Sequence, residues 1–164
     1  MGTFAVQLAK AFGADVTAVT SAANLELVRS LGADQVIDYA REDFTRRPER
    51  YDLVVDVAGR PSLRVIRRVL APDGSLVLVG AGKGDWIGPL TRFVAGTVRS
   101  RLLKQRIVGF YATVTKEHLL VLKDLIEAGK VTPVIDRTFP LSEAGDALRY
   151  VEPGHARGKV IITI

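Results

Sequence analysis

Residues 1–21, MGTFAVQLAKAFGADVTAVTS, decide how the rest of the chain is read. Gly2 stands where a helix begins. Ala5, Ala9 and Phe12 recur at helical spacing on one face, with Val6 and Leu8 beside them. Gly13 is the expected stop. Val16 to Thr20 is apolar and β-branched, the pattern of a strand buried on both faces. In a β-turn-α-β unit a strand and a glycine-rich turn precede such a helix, and here the pattern begins at the turn's last glycine.

Working outward, strand and helix alternate up to residue 111. Strand 15–20 leads to helix 23–31, whose expected buried stripe is Leu25, Val28 and Leu31, with Gly32 as its stop. Strand 35–38 (QVID) ends at Tyr39, and the polar segment 40–50 predicts a short helix plus loop. Strand 53–57 (LVVDV) runs into Ala58-Gly59. Pro61 then suits the first turn of a helix over 62–70. Pro72-Asp73-Gly74 predicts a turn, followed by strand 75–80, a long helix near 90–104 and strand 106–111. This order predicts an α/β chain built on a parallel, doubly wound sheet with helices on both faces.

Beyond residue 112 the rhythm changes. Helix 116–129 carries Leu119, Leu122, Leu125 and Ile126 on one side and stops at Gly129. Pro133 and Pro140 give the extended piece 131–139 an edge character, and Ser142 is the expected N-cap of a further short helix. A loop over 153–159 leads to the terminal strand 160–164. These last two strands have no obvious partners in the preceding sheet, so the chain divides into 1–130 and a tail, 131–164.

Composition narrows the function classes. The 164 residues are 48% hydrophobic and 25% charged, as expected of a globular domain with its own core. No apolar run reaches the ~18 residues that span a membrane, and Lys10 and Asp15 interrupt the N-terminal apolar segment, so neither an anchor nor a signal peptide is expected. The absence of cysteine rules out disulfides and cysteine-ligated zinc and fits a reducing, cytoplasmic location. The net charge of +5 comes with arginines at 64, 67, 68, 92, 99, 101 and 106 but with no nucleic-acid motif. A solvated surface is the expectation, and neither a nucleic-acid nor a membrane partner is. His118 and His155 have no second ligand at metal spacing, so no metal site is expected. Asp52 and Asp56 alternate along one strand, and Asp56 reads as a turn or capping group rather than a base.

Five stretches, GTFAVQLAKAFGADVTAVTS, LVRSLGADQVIDY, YDLVVDVAG, LAPDGSLVLVG and GHARGKVII, occur in this order. Together they resemble the medium-chain dehydrogenase/reductase superfamily, in its zinc-independent quinone oxidoreductase branch, over essentially the whole chain. The resemblance implies a Rossmann-like dinucleotide domain whose C-terminal tail returns to complete a substrate domain that precedes it in sequence. It also implies that this chain lacks that domain, the first sheet strand and most of the A-x-G-G-V-G turn. Met1 falls at the valine of that turn, and an internal or misassigned start is the expectation.

What the resemblance implies about the site follows residue by residue. Gly2, Thr3 and Phe4 take the place where backbone amides and a helix end hold a pyrophosphate; a frayed terminus is the alternative. The second strand ends on Thr20-Ser21 with no carboxylate before Glu26, which favours NADPH over NADH. Ser21, Asn24 and Tyr39 fall around the 2′-phosphate, although Asn24 departs from the family's basic residue; capping and packing are their alternatives. Val57-Ala58-Gly59 and Val79-Gly80-Ala81 end neighbouring strands where open α/β sheets bind ligands. Phe110 borders the nicotinamide, and Arg157 and Lys159 lie near the cofactor cleft, with Lys159 able to neutralise a phosphate. The implied reaction is hydride transfer to a quinone, enone or related carbonyl compound, in a homodimer paired through strand 106–111. The chain alone is expected to be inactive and marginally stable. A Rossmann-type methyltransferase, which also shows YDLVV and VLAPDGSLVLV, and a non-catalytic NADP-binding or partner-subunit module are the alternatives.

Overall fold

Helix α1 (Gly2–Ala11) opens the chain. It ends where Gly13, at φ 81°, takes a left-handed conformation and its N–H bonds to the Lys10 carbonyl at 2.9 Å. The same device, at Gly32 and Gly129, ends two later helices as expected. The computed structural model describes residues 1–57, 62–79, 104–109 and 113–164. The chain forms two units, one from Met1–Glu42 with Val114–Ile164, the other from Asp43–Thr113.

In the first unit α1 buries Val6 and Gln7 rather than the expected Ala5/Ala9/Phe12 face. Phe12 lies one residue beyond the helix, so it leaves the helical register and is 73% exposed. Strand β1 (Thr17–Thr20) pairs in parallel with β2 (Gln35–Asp38), Thr20 lying opposite Asp38. Its side chains are half-buried, with Val19 exposed, rather than buried on both faces, and among the described residues β2 is its one paired neighbour. Between them lie a 3-10 turn (Ala22–Asn24) and α2 (Leu25–Ser30). The stripe of Leu25, Val28 and Leu31 is half-buried. Lys10 ties α1 to the start of β2, with Nζ 2.8 Å from Asp34, whose carboxylate also accepts the Val16 N–H at 2.7 Å.

The second unit is a parallel sheet in the order β3 (Tyr51–Asp56), β4 (Leu70–Leu78), β5 (Arg106–Gly109). Helix α3 is one turn, Leu63–Ile66, shorter than the expected 62–70 because β4 already begins at Leu70. The anticipated turn at 72–74 is instead an irregularity inside β4. Tyr51 pairs with Leu70 and Leu53 with Ser75, so the residues between are looped out. Gly74 is required there, since a Cβ would stand 2.9 Å from the Tyr51 carbonyl oxygen. Ile66, Leu70 and Leu76 form the core, flanked by Val54, Leu63, Leu78 and Ile107. Gln105 secures the lower edge: Nε2 donates to the carbonyls of Arg67, Leu70 and Ala71, and Oε1 accepts from Arg67 Nε at 3.1 Å. The expected helix near 90–104 falls almost wholly outside the described residues.

The C-terminal elements belong to the first unit. Helix α4 (Lys116–Glu127) is capped by Thr115, whose hydroxyl accepts the His118 N–H. Leu119 and Ile126 of its expected stripe are exposed, while Leu122 and Leu125 are half-buried. Strands β6 (Ile135–Pro140) and β7 (Lys159–Thr163) pair with each other in parallel, which supplies the partner the sequence left unnamed. Helix α5 (Ala144–Val151) follows a 3-10 turn at Leu141–Glu143, so Glu143 rather than Ser142 holds the N-cap position. Gln7 joins α1 to the segment that leads into β6. Its amide accepts the Thr132 N–H at 2.7 Å and donates to the Thr132 and Thr3 carbonyls at 3.0 Å, copying a backbone pairing.

Candidate cofactor-binding site

Thr20 ends β1 and accepts the Tyr39 N–H at 3.1 Å, which sets Tyr39 at the same carboxyl edge, half-exposed. The chain then turns through Ser21 and Asn24. Neither makes a side-chain capping bond, the alternative role for both. Asn24 Nδ2 donates to Ser21 Oγ at 3.3 Å, and Asn24 Oδ1 accepts from Arg157 Nε at 2.9 Å. Arg157 Nη2 also donates to the Ala23 carbonyl at 2.7 Å. Ser21, Asn24 and Arg157 therefore form one polar chain, although Arg157 is remote in sequence.

The tail is held in place from behind. Asp136 of β6 accepts the Arg157 backbone N–H and the Tyr150 hydroxyl, each at 2.9 Å. These two donors, the Arg157 N–H foremost, hold the Asp136 carboxyl below its ordinary value, and the same contact raises the Tyr150 hydroxyl. Arg137 lies over the Tyr150 ring at 4.4 Å. Gly158 then passes so close to Val134 that a Cβ would stand 2.3 Å from its carbonyl oxygen, and Lys159 N–H bonds that same oxygen at 2.7 Å. Asp136, Tyr150 and Gly158 are supports that the motifs did not single out; the small residue inside GHARGK was the signal for the last.

Lys159 reaches the other end of the site. Its Nζ lies 5.5 Å from the centroid of the Phe4 ring, in the first turn of α1. Gly2 opens that helix without a side-chain cap or an acidic residue in the first turn, and Phe4 and Ala5 N–H groups bond the Met1 carbonyl. Thr3 contributes its carbonyl to Gln7. A cation beside a helix N-terminus meets the positive end of the helix dipole, an arrangement that an anion between them would relieve.

Acids near β1 are already engaged. Glu26 pairs with Arg29 at 2.6 Å. Asp38, 8% exposed, accepts the Ala40 N–H at 3.0 Å and lies 3.6 Å from Arg41. In the second unit Val57 and Val79 follow the carboxyl ends of β3 and β4, the Val79 N–H bonding the Asp56 carbonyl at 2.9 Å. The other candidates, Ala58, Gly59, Gly80, Ala81 and Phe110, lie outside the described residues. No group of three or more His, Asp or Glu side chains converges among the described residues, so these do not offer the donor set of a metal centre. Nor is any described helix long and apolar enough to cross a membrane.

The family model described as zinc-binding dehydrogenase matches residues 31–162. A mitochondrial NAD(P)H oxidoreductase of Mus musculus is 36% identical over 183 residues, covering 100% of this chain and 45% of that protein. The chloroplastic NADPH-dependent alkenal/one oxidoreductase of Arabidopsis thaliana is 38% identical over 166 residues, covering 99% and 37%. Among solved structures, the quinone oxidoreductase from Coxiella burnetii superposes with a TM-score of 0.81 at 31% identity, covering 99% of this chain and 49% of that one. The chain thus spans about half or less of the length of the relatives it matches. The methyltransferase alternative is set aside by these matches. This chain belongs to the zinc-binding dehydrogenase family, in the quinone oxidoreductase-like branch of the medium-chain dehydrogenases/reductases.

Proposed function

We propose that the chain is the cofactor-binding portion of an NADPH-dependent oxidoreductase that reduces quinones, enones or related carbonyl compounds. The observation that carries the reading is the acid-free carboxyl end of β1, where Ser21, Asn24 and Arg157 present hydroxyl, amide and guanidinium groups along one edge. An acid at that position would hold a ribose 2′-hydroxyl and repel a 2′-phosphate; neutral and cationic groups do the reverse, so NADH is the weaker ligand. Tyr39 borders the same edge. Gly2, Thr3 and Phe4 offer the α1 N-terminus to the pyrophosphate, and Lys159 adds a positive charge there. When bound, NADPH supplies the hydride. The residues of this chain bind and orient it.

Division into a cofactor portion, 1–130, and a tail, 131–164, is part of the same proposal, as is a cytoplasmic location. So is a homodimer paired through strand 106–111, since β5 leaves one edge unpaired among the described residues. Support for the substrate class comes from the names of the relatives, and they extend well beyond this chain. The 164-residue chain is therefore proposed to bind NADPH without turning over substrate alone.

Titration calorimetry with NADPH, NADH and S-adenosylmethionine tests the reading. NADPH binding at least tenfold tighter than NADH, with no heat from S-adenosylmethionine, is the expected result. Equal affinity for the two nicotinamide cofactors overturns the choice of NADPH, and no binding of either overturns the whole reading. Rapid NADPH oxidation with a quinone by this chain alone overturns its proposed inactivity.

A further inference from the structure

We propose that the amino edge of the second unit's sheet is a docking surface for an acidic protein segment, at the opposite end of the strands from Val57 and Val79. Charge is divided unevenly along the chain. Residues 43–113 hold thirteen Lys and Arg against six Asp and Glu, a net of +7. The remaining residues hold ten against twelve, a net of −2, so the whole positive excess belongs to the second unit. Its parallel topology gathers much of that excess at one end. Arg50 directly precedes β3, Arg67 and Arg68 lie just ahead of β4, and Lys104 and Arg106 bracket the start of β5.

Hydrogen bonds join these three strand starts. The Tyr51 N–H, next to Arg50, bonds the Val69 carbonyl, next to Arg68, at 2.8 Å. Gln105, between Lys104 and Arg106, donates to the carbonyls of Arg67 and Leu70. With neighbouring strands ~4.8 Å apart, the row of cations is ~10 Å across. Arg64, one turn ahead of Arg68, extends it. Arg50, Arg64, Arg68, Lys104 and Arg106 are exposed. None of Arg64, Arg67, Arg68, Lys104 and Arg106 pairs with an acid among the described residues. Arg50 donates to the carbonyls of Arg47, Pro48 and Glu49, and Arg67 Nε to Gln105. Such neutral acceptors orient a guanidinium without cancelling its charge. Arg67 Nη2 is buried and makes no hydrogen bond among the described residues. The residues outside that description carry five Lys and Arg and one acid, Asp85, so they add to the excess rather than balance it.

The occupant is read from what accompanies the cations. Most are arginines, whose planar fork matches a carboxylate. Glu49, Asp52 and Asp73 are exposed among them. A lipid surface or a nucleic-acid backbone, negative throughout, would meet these acids unfavourably, whereas a protein segment can set a cation or a hydroxyl opposite each. Phe44 and Tyr51, the described aromatic residues on this side, are half-buried, so neither presents an open ring for a base to stack on or a lipid interface to take up.

The test uses a fluorescein-labelled glutamate homopeptide, read by anisotropy on the 164-residue chain, with a glutamine homopeptide as the neutral control. Oligothymidylate and phosphatidylserine vesicles are the competing anions. The glutamate peptide is expected to bind and the glutamine peptide not. Arg64→Gln, Arg68→Gln and Lys104→Gln combined should weaken binding by about tenfold or more, and Lys116→Gln, Lys123→Gln and Arg149→Gln combined by less than about twofold. The second set removes the same charge from the first unit, and all six side chains are exposed, so both variants should melt as the wild type does. Equal weakening by the two sets overturns the proposal, because net charge alone would then attract the peptide. A wild-type chain that does not bind the glutamate peptide overturns it as well and leaves the edge a solvated face. Tighter binding of oligothymidylate or the vesicles, lost in the edge variant, overturns the choice of a protein partner in favour of a phosphate array.

Discussion

Replacing Gly158 by alanine should be among the most damaging single-methyl additions in the chain. The new Cβ would meet the Val134 carbonyl oxygen at 2.3 Å and the Val134 carbonyl carbon and Cγ1 at 2.9 Å. An ordinary contact of about 3.5 Å requires a retreat of roughly 1 Å. That retreat stretches the Lys159 N–H to Val134 bond, 2.7 Å in the native structure, to roughly 3.7 Å, where it is no longer a hydrogen bond. Overpacking costs about 1–3 kcal/mol and the lost bond about 1 kcal/mol, so about 2–4 kcal/mol in total. For a chain of this size the melting temperature should fall by about 4–16 °C. Gly154→Ala is the control: its Cβ would touch nothing within 4 Å, though φ is 77°, so it should cost only about 1–2 kcal/mol from the left-handed backbone. Thermal unfolding followed by circular dichroism reads both. A Gly158→Ala chain that melts within 1 °C or so of wild type, or above Gly154→Ala, would refute the argument.

Three further outcomes are expected. Gln7→Ala removes the amide that pairs with Thr132; urea unfolding should show a loss of about 1–3 kcal/mol, and Gln7→Glu should not restore stability, because a carboxylate cannot donate to the Thr132 carbonyl. Asp136 is held below its ordinary value of 3.8, first by the Arg157 N–H and then by the Tyr150 hydroxyl. Its stabilisation is complete above the unfolded value and is lost as pH falls through the lower folded one, so Asp136→Asn should flatten the decline in melting temperature from about pH 5 downward. Leu76→Ala empties the centre of the second unit's core, where Leu76 is 0% exposed, and should lower unfolding free energy by about 2–5 kcal/mol in the same urea assay.

Local chemistry made much of the fold legible. Gly13, Gly32 and Gly129 end their helices where expected because a left-handed residue is a property of the chain at that point. The parallel strands follow from alternation, and their short crossovers leave few other arrangements. What sequence missed depends on distance. Spacing puts Phe12 on a helical face, yet the helix ends one residue earlier. The 72–74 turn chemistry is real, but the chain continues in the same strand because Leu70 already pairs with Tyr51. In the site, the neutral end of β1 was readable from Thr20-Ser21 alone. That Arg157 lies against Asn24 was not, since 133 positions separate them and no local pattern records which remote segment will arrive. Asp136 and Tyr150 escaped notice for the same reason: each looks like an ordinary surface residue until the tail is placed.

The discontinuity of the first unit has a kinetic consequence. Residues 43–113 are contiguous, so the second unit holds all its own segments as soon as they are made. The first unit does not. Its opening helix waits for Thr132, and its β1 turn waits for Arg157, 125 and 133 positions ahead. At about 5–20 residues per second, the early segment spends several seconds or more on the ribosome with its partners unmade. Residues of α1 and the β1 turn therefore become native only after segments made well after them have arrived. Closing so long a loop carries an entropic toll that local contacts do not. Amides of α1 should therefore gain protection late in a refolding experiment, in step with those of β7 rather than with those of β3 and β4.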